Sequence, residues 1–332
     1  MTRRVPEPTK RSGEFAVIAN LFAPLARTRG ALGLTDDAAY LRPRKDEDLI
    51  ITTDAMIEAV HFLPGDPANL IAKKILRVNL SDLAAKGAKP FGYLLTLAIP
   101  FWVNDDWLKT FARGLGEDQA RYAITLLGGD TMATPGPLTV SITAIGRVPQ
   151  GMMIRRSGAK RGDVVFVTGT IGDGGGGLAV AEGKGKELGT PDRDALLLRY
   201  LLPEPRAALG PRLRGIARAA LDVSDGLLAD LGHIAKTSGV RIEIDAAKVP
   251  VSESLTAFWG TGLDTIVRAA SAGDDYELAF TVPAAKRAAA LAAARAVDVP
   301  LTEIGRVVEG SGVALVGPKG PIAVARGGYT HF

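Results

Sequence analysis

Hydrophobic positions recur along the chain with two spacings, which predict a mixture of helices and strands. Apolar residues three or four positions apart predict helices over 14–29, 68–88, 104–122, 206–220, 227–237 and 284–297. Short β-rich runs predict strands over 49–53, 93–99, 124–127, 138–145, 164–168, 241–244 and 277–282. The elements do not alternate strictly, so the pattern predicts a mixed α/β or α+β fold.

The chain is long enough for two domains, and the sequence indicates a boundary near Pro149–Gly151. A predicted strand ends just before this point, and a basic turn containing Arg155 and Arg156 follows it. The first residues are basic and contain proline. We therefore expect a mobile tail over 1–12, an N-terminal domain over 13–149 and a C-terminal α/β domain over 150–332.

Composition excludes several classes of protein. The 40 basic and 36 acidic residues leave a net charge of only +4, and no basic patch is interleaved with aromatics, so nucleic acid is not an expected partner. The absence of cysteine excludes disulfides and thiolate metal sites, and fits a reducing compartment. No apolar stretch reaches 18 residues, and the N-terminus lacks a secretory apolar core. We therefore expect a cytoplasmic protein without a membrane span.

Candidate chemistry comes from short apolar runs that end in Asp beside Gly, Ser or Thr. The carboxylates concerned are Asp36–Asp37, Asp54, Asp82, Asp130, Asp225 and Asp274–Asp275. Taken singly, each is typical of a helix cap or a turn. If they share a cleft they need cations, because like charges raise each other's pKa. Mg²⁺ prefers such oxygen ligands and often binds substrate phosphates as well. The joint pattern predicts a magnesium–phosphate enzyme.

Other polar motifs are less specific. The glycine-rich segment 172–177 permits either a phosphate cradle at a helix start or a flexible connector, and it matches neither common nucleotide-binding motif. The histidines lack zinc-site spacing. His61 follows Asp54 by seven residues, so it either reaches a ligand or is an ordinary surface histidine. Arg156, beside Ser157–Gly158, is a candidate phosphate-binding guanidinium.

Eight motifs, taken together and in order, resemble the thiamine-monophosphate kinase family of the aminoimidazole ribonucleotide synthetase-like superfamily. They are TTDAMIEAVHF at 52–62, NLSDLAAKGAKP, GGDT, RSGAKRGD, TGTIGDGGGGL, LDVSDGL, GDDYEL and the terminal GGYTHF. The resemblance covers nearly the whole chain, from about residue 13 to 332. It implies a two-domain fold of that superfamily, in which the N-terminal sheet domain pairs with a second copy in a homodimer.

The resemblance also implies roles for individual residues. Residues surrounding several Mg²⁺ ions would be Asp37, Thr52, Thr53, Asp54, Asp82, Asp130, Asp222 and Asp225. Those contacting ATP would be Gly129, Asp130, Arg156 and Ser224, and those contacting thiamine monophosphate would be His61, Asp274 and Tyr329. Thr35 stands where the family commonly has Gly, which leaves open whether Asp36 or Asp37 is the ligand. Asp274 stands where the family often has Glu.

The activity implied is direct in-line transfer of the ATP γ-phosphoryl group to thiamine monophosphate. Phosphoryl transfer needs positioning and charge neutralisation, and a phosphate acceptor is largely dianionic near neutral pH. No dedicated general base is therefore expected. The alternatives are another ATP-dependent synthetase of the superfamily and a non-enzymatic protein that binds polyanions.

Overall fold

The computed structural model describes residues 12–325 and 327–329, which form two compact units. The first unit contains the described residues up to Asn79 together with Pro90–Arg147. The second contains Leu80–Lys89 together with the described residues from Val148 onward. The domain division at 149–150 stays a prediction. Leu80–Lys89 lies within the predicted N-terminal domain but is grouped with the second compact unit.

The expected mobile tail falls almost entirely outside the described residues. Its last member, Ser12, is described, and both its N–H and its hydroxyl donate to the Asp105 carboxylate, at 2.9 and 2.5 Å. The chain is therefore attached to the first unit from Ser12 onward.

The first unit is a sheet with helices packed against it. Its elements are helix α1 (Glu14–Val17), strand β1 (Glu47–Ile57), helix α2 (Ala68–Ala85), strand β2 (Lys89–Ile99), helix α3 (Asp105–Tyr122), and strands β3 (Thr125–Ala133) and β4 (Thr139–Pro149). The end of α2 from Leu80, the first residue of β2 and the last two of β4 are grouped with the second unit. Within the described residues the strands form a four-stranded sheet in the order β1-β4-β2-β3. Strands β2 and β3 run parallel, with Thr96 opposite Asp130.

The two faces of this sheet differ in burial. Tyr93, Leu95 and Leu97 are buried on β2, whereas Leu94 between them is 40% exposed, because successive side chains of a strand point to opposite faces. The Tyr93 hydroxyl lies 2.9 Å from the side-chain amide of Gln119 on α3. The helices therefore cover one face and leave the other open for a site.

A buried ion pair joins α2 to α3, and its loss should be costly. The Arg77 Nε and Nη2 atoms donate to the two Asp118 carboxylate oxygens at 2.6 and 3.0 Å, and both side chains are 2% exposed. Asp118→Ala leaves a buried guanidinium without its counter-charge, so we expect the free energy of unfolding to fall by about 3–5 kcal/mol.

The neighbouring residue provides a matched control for that substitution. Glu117 pairs with Lys73, but its side chain is 50% exposed, so Glu117→Ala should cost less than about 1 kcal/mol. Urea unfolding of both variants measures the difference. Equal losses would show that burial of the Arg77–Asp118 pair does not determine its contribution.

The second unit is a larger mixed sheet with helices on both sides. Its elements are β5 (Asp163–Thr168), α4 (Asp173–Ala181), α5 (Thr190–Leu201), β6 (Ala219–Val223), α6 (Leu227–Ser238), β7 (Arg241–Asp245), α7 (Glu253–Trp259), α8 (Leu263–Ala270), β8 (Glu277–Pro283), α9 (Arg287–Arg295), β9 (Leu301–Val308), β10 (Gly312–Gly317) and β11 (Gly320–Pro321). Among the described residues these strands form a seven-stranded sheet in the order β11-β10-β7-β9-β5-β8-β6.

Both faces of this sheet are buried. Val165 and Val167 of β5 belong to one apolar cluster, and Phe166 belongs to another, where it stacks on Phe280 of β8 with ring centroids 5.8 Å apart. Because both faces of these strands are covered, the residues that follow each strand lie where the strand leaves the sheet. The mixed α/β fold class is confirmed.

Two of the sequence predictions for elements are wrong. Residues 206–220 form a 3₁₀ turn over Gly210–Leu213 and then β6, not one helix. A short apolar run gives no periodicity with which to separate a buried strand from a helix, and here pairing with β8 decides. The helix predicted over 14–29 stops early: α1 is followed by a π turn and then by a 3₁₀ turn that contains Pro24.

None of the helices in the described residues is both long and apolar enough to cross a membrane.

Candidate active site

A cleft in the first unit contains several of the predicted site residues. It measures about 720 Å³ and is lined by the 36–39 loop and by parts of β2, β3 and β4. Asp37, Gly129 and Asp130 all line it, and so does Asp36. Residues about ninety positions apart in sequence therefore share one cavity, and both members of the first Asp pair are among them.

Gly129 is required by the close approach of β3 to β2. A Cβ atom at this position would lie 1.8 Å from the carbonyl oxygen of Leu95, so a side chain there would push the two strands apart. The strand predicted over 124–127 continues past this point to Ala133. Asp130 is thus held inside a paired strand, which fixes its direction into the cleft.

The residues of the TTD motif lie within β1, not at its end. The Thr53 hydroxyl donates to the carbonyl of Ile142 and accepts from the hydroxyl of Thr143, each at 3.1 Å, and Thr143 lines the cleft. Thr52 and Asp54 occupy alternate positions and therefore project from the other face of the strand. The structure places Thr53 beside the cleft, and it places Thr52 and Asp54 across the strand from it.

His61 follows β1 in a tight turn. The Nδ1 atom of its ring accepts the backbone N–H of Ile57 at 3.1 Å, and the backbone N–H of His61 donates to the Ile57 carbonyl at 2.9 Å. An accepting Nδ1 puts the proton of a neutral imidazole on Nε2. The ring is therefore oriented by the backbone of the strand that precedes it.

A second group of predicted residues converges in the second unit around a residue that the sequence analysis missed. Lys86 donates from Nζ to the Ala220 carbonyl at 2.8 Å. Burial lowers the pKa of Lys86 to about 8, although the charges of Asp222 and Asp82 act in the opposite direction; Arg156 adds to the lowering. The signal was present in the sequence, because Asp82 and Lys86 are four positions apart at the end of a helix.

Backbone hydrogen bonds bring the other predicted residues of the second unit together. The Asp274 N–H donates to the Ser224 carbonyl at 2.8 Å, and the Tyr329 N–H donates to the Asp225 carbonyl at 2.9 Å. The Tyr276 hydroxyl donates to the Asp274 carboxylate at 3.2 Å. Ser224, predicted to contact ATP, and Asp274 and Tyr329, predicted to contact thiamine monophosphate, therefore lie on adjoining loops.

The loop that carries Ser224 and Asp225 is held by a buried carboxylate that the sequence analysis also missed. One oxygen of Asp230 accepts the N–H groups of Ser224, Asp225 and Gly226 at 3.0–3.1 Å. Asp225, Asp230 and His233 each offer a ligand atom, and these atoms lie within 4.8 Å of one another. Asp230 and His233 are three positions apart on α6, which is a spacing that puts both on one helix face.

This buried carboxylate predicts a pH effect on stability. Burial raises the pKa of Asp230 from 3.8 to about 7, and the charge of Asp225 adds to the rise. A folded-state pKa above the unfolded value stabilises the fold fully below about pH 4, and this contribution is lost as the pH rises towards 7. The metal-free protein should therefore lose stability between pH 5 and pH 8, by at most about 3 kcal/mol from this group.

Asp230→Asn tests this pH effect, because asparagine keeps an oxygen that can accept the three N–H bonds. Urea unfolding at both pH values should show a smaller difference for the variant than for the wild type. If both proteins lose the same stability between these pH values, Asp230 is not the group responsible.

The glycine-rich segment proves to be neither of its two predicted alternatives. It begins α4, so the flexible connector is wrong. Cβ atoms at Gly174 and Gly177 would lie 2.3 and 2.1 Å from the carbonyl oxygens of Asp274 and Leu196, so glycine here permits close packing. The Gly172 and Gly174 N–H groups donate to the Asp275 carboxylate at 2.7 and 3.0 Å. These are the amides that a phosphate cradle would use, so they are not available to a phosphate.

The donor groups suit Mg²⁺. In the first unit the cleft collects the Asp37 and Asp130 carboxylates beside the Thr53–Thr143 hydroxyl pair. In the second unit Asp82 and Asp222 both act on the single ammonium of Lys86. Carboxylate and hydroxyl oxygens are ligands that Mg²⁺ accepts, and clustered carboxylates are stabilised by a bound cation.

Comparisons with known proteins identify the family to which the chain is related. Residues 35–148 match the family AIR synthase related protein, N-terminal domain, and residues 160–317 match the corresponding C-terminal domain. The thiamine-monophosphate kinase of Caulobacter vibrioides is 46% identical over 325 residues, which cover 96% of this chain and 90% of that protein.

Solved structures give the same result. The crystal structure of the thiamine-monophosphate kinase from Stenotrophomonas maltophilia K279a matches with a TM-score of 0.80 and 43% identity, over 88% of this chain and 93% of that one. The structure of AaThiL complexed with AMPPCP and TMP matches with a TM-score of 0.78 and 31% identity, over 98% and 99% of the two chains. The chain belongs to the thiamine-monophosphate kinase family.

Proposed function

We propose that this chain transfers the γ-phosphoryl group of ATP directly to the phosphate of thiamine monophosphate, which gives thiamine diphosphate and ADP. The observation that carries the proposal is the similarity over nearly the full length to the Caulobacter vibrioides enzyme. The likeness to AaThiL complexed with AMPPCP and TMP adds support, since AMPPCP is an analogue of ATP.

The proposed metal-binding residues are those predicted from the sequence: Asp37, Thr52, Thr53, Asp54, Asp82, Asp130, Asp222 and Asp225. Bound Mg²⁺ would supply neutralisation of the phosphate charges that otherwise keep the two reactants apart. The cleft shared by Asp37 and Asp130 supports this assignment for those two residues. Thr52 and Asp54 project from the opposite face of β1, so their assignment rests on the family resemblance alone. Asp82 and Asp222, which both face Lys86, support the assignment for the second unit.

The nucleotide contacts are proposed for Gly129, Asp130, Arg156 and Ser224. Gly129 brings the β3 backbone close to β2 and leaves no side chain over the cleft. Arg156 is exposed, and its charge contributes to lowering the pKa of Lys86, so its guanidinium can bind a phosphate near Lys86.

The substrate contacts are proposed for His61, Asp274 and Tyr329. The positive thiazolium ring is favoured by the Asp274 carboxylate, which the Tyr276 hydroxyl orients, and by the aromatic face of Tyr329, whose side chain is 52% exposed. The acceptor phosphate is already largely dianionic near neutral pH, so it can attack without a base. These residues therefore bind and orient the substrate and do not remove a proton.

A homodimer and a cytoplasmic location form part of the same proposal. Ile51 on β1 and Leu94 on β2 are 65% and 40% exposed on the sheet of the first unit. Apolar side chains left open on a sheet support its pairing with a second copy of the chain.

The test supplies purified protein with ATP, Mg²⁺ and thiamine monophosphate and separates the products by chromatography. We expect thiamine diphosphate and an equal amount of ADP. Thiamine without its phosphate is the matched control and should give neither. Absence of thiamine diphosphate under conditions in which ATP binds would overturn the proposal, and ADP release with a different acceptor in the same panel would favour a synthetase.

A further inference from the structure

The position of Lys86 is fixed from two sides within the second unit. Its N–H donates to the carbonyl of Asp82 at 3.1 Å, and its own carbonyl accepts the N–H of Ile154 at 3.2 Å. Its Nζ atom reaches β6, where it donates to the carbonyl of Ala220 at 2.8 Å. The ammonium is therefore anchored and does not extend freely into solvent as surface lysines do.

The charges around this ammonium are mainly acidic. Asp222 lies two residues beyond Ala220 on β6, the strand that the ammonium contacts, and Asp82 precedes Lys86 by one helical turn. Both carboxylates favour the charged form of Lys86, and Arg156 opposes it. Asp222 is 7% exposed, so its carboxylate has little water around it and needs a cation nearby. Lysine offers a compact point charge, which resembles a metal ion more closely than the planar guanidinium of arginine does.

We propose that Lys86 is a positioning residue that acts as a resident cation for Asp82 and Asp222, which keeps the affinity of the two carboxylates for free Mg²⁺ low until nucleotide arrives. The inference rests on the proposed function, because it assigns these carboxylates to Mg²⁺. A divalent ion near the ammonium is repelled, and in a partly buried site this repulsion changes the affinity on the order of tenfold.

Nucleotide removes this obstacle. The polyphosphate carries several negative charges, so the ammonium attracts the nucleotide at the same place where it repels the bare ion. Mg²⁺ is then retained together with the nucleotide. In the nucleotide-free protein the Lys86 ammonium balances the charges of Asp82 and Asp222. Without Lys86 the carboxylates would repel each other in the metal-free protein and bind Mg²⁺ more tightly.

The experiment titrates Mg²⁺ alone into nucleotide-free protein by isothermal titration calorimetry. Lys86→Met keeps the length of the side chain and removes its charge, so we expect Mg²⁺ to bind about tenfold more tightly than to the wild type. Lys89→Met is the matched control, since Lys89 is exposed three residues later and should leave the affinity unchanged. A residue with a purely structural role would weaken metal binding when replaced.

Each outcome of the titration decides the inference. Equal or weaker Mg²⁺ binding by Lys86→Met would overturn it. If that variant is unfolded in metal-free buffer, recovery of the folded state on addition of Mg²⁺ supports the inference, and failure to recover overturns it. The titration uses neither ATP nor thiamine monophosphate, so a negative result here is distinguishable from failure of the proposed reaction.

Discussion

Asp130→Asn is expected to reduce thiamine diphosphate formation by more than about 100-fold while leaving the fold intact. Substitution of outer partners of metal sites already costs about 10- to 100-fold, and a direct ligand should cost more. Asparagine has nearly the same shape, and Asp130 is exposed on β3, so the free energy of unfolding should stay within about 1 kcal/mol. Asp54→Asn should also reduce activity, because the family resemblance assigns Asp54 to the same set of metal ligands.

The measurement pairs steady-state kinetics with urea unfolding of each variant. Asp106→Asn is the control: its side chain is 87% exposed, pairs with Lys109 and is not among the residues that line the 720 Å³ cleft. It should keep full activity. Unchanged turnover in Asp130→Asn or Asp54→Asn would contradict the metal-binding role of that residue.

Gly129→Ala is expected to destabilise the first unit by about 3 kcal/mol or more. Its Cβ would lie 1.8 Å from a backbone carbonyl oxygen of β2, and a strand cannot yield as a flexible side chain can. Gly128→Ala is a control of matched chemistry, because the nearest atom to its Cβ is the Leu94 side chain at an ordinary 3.5 Å.

Thermal melting followed by circular dichroism measures both glycine variants. Gly128→Ala should change the free energy of unfolding by less than about 1 kcal/mol. If both variants melt together, the contact with Leu95 is not what requires glycine at position 129.

Much of the fold follows from periodicity. Helices α2, α3 and α6 were predicted because their apolar residues recur at helical spacing over at least three turns. Asn104 accepts the Trp107 N–H at the start of α3, which is the side-chain cap that the sequence pattern favours. Strand β6 was not predicted, because all five of its residues are buried, Asp222 included, and its short sequence shows no alternation of apolar and polar positions.

The sequence predicted some of the residues that the structure brings together, and the residues that it did not predict share one reason. Asp37 and Asp130 share a cleft, and Asp82 and Asp222 share a lysine, as expected of carboxylates that act together. Lys86 and Asp230 were missed because their roles depend on contacts with β6 and with the 224–226 loop, which a linear pattern does not contain. The glycine-rich segment was misread for the same reason, since its partner Asp275 lies a hundred residues away.

The most direct test of the account follows the phosphorus atom itself. Wild-type protein is incubated with ATP labelled in the γ-phosphoryl group, together with Mg²⁺ and thiamine monophosphate, and the label is located by ³¹P NMR or radiochromatography. Direct transfer predicts that the label appears in the terminal phosphate of thiamine diphosphate at the rate at which ADP forms. Label released as inorganic phosphate, with thiamine monophosphate unchanged, would contradict the account.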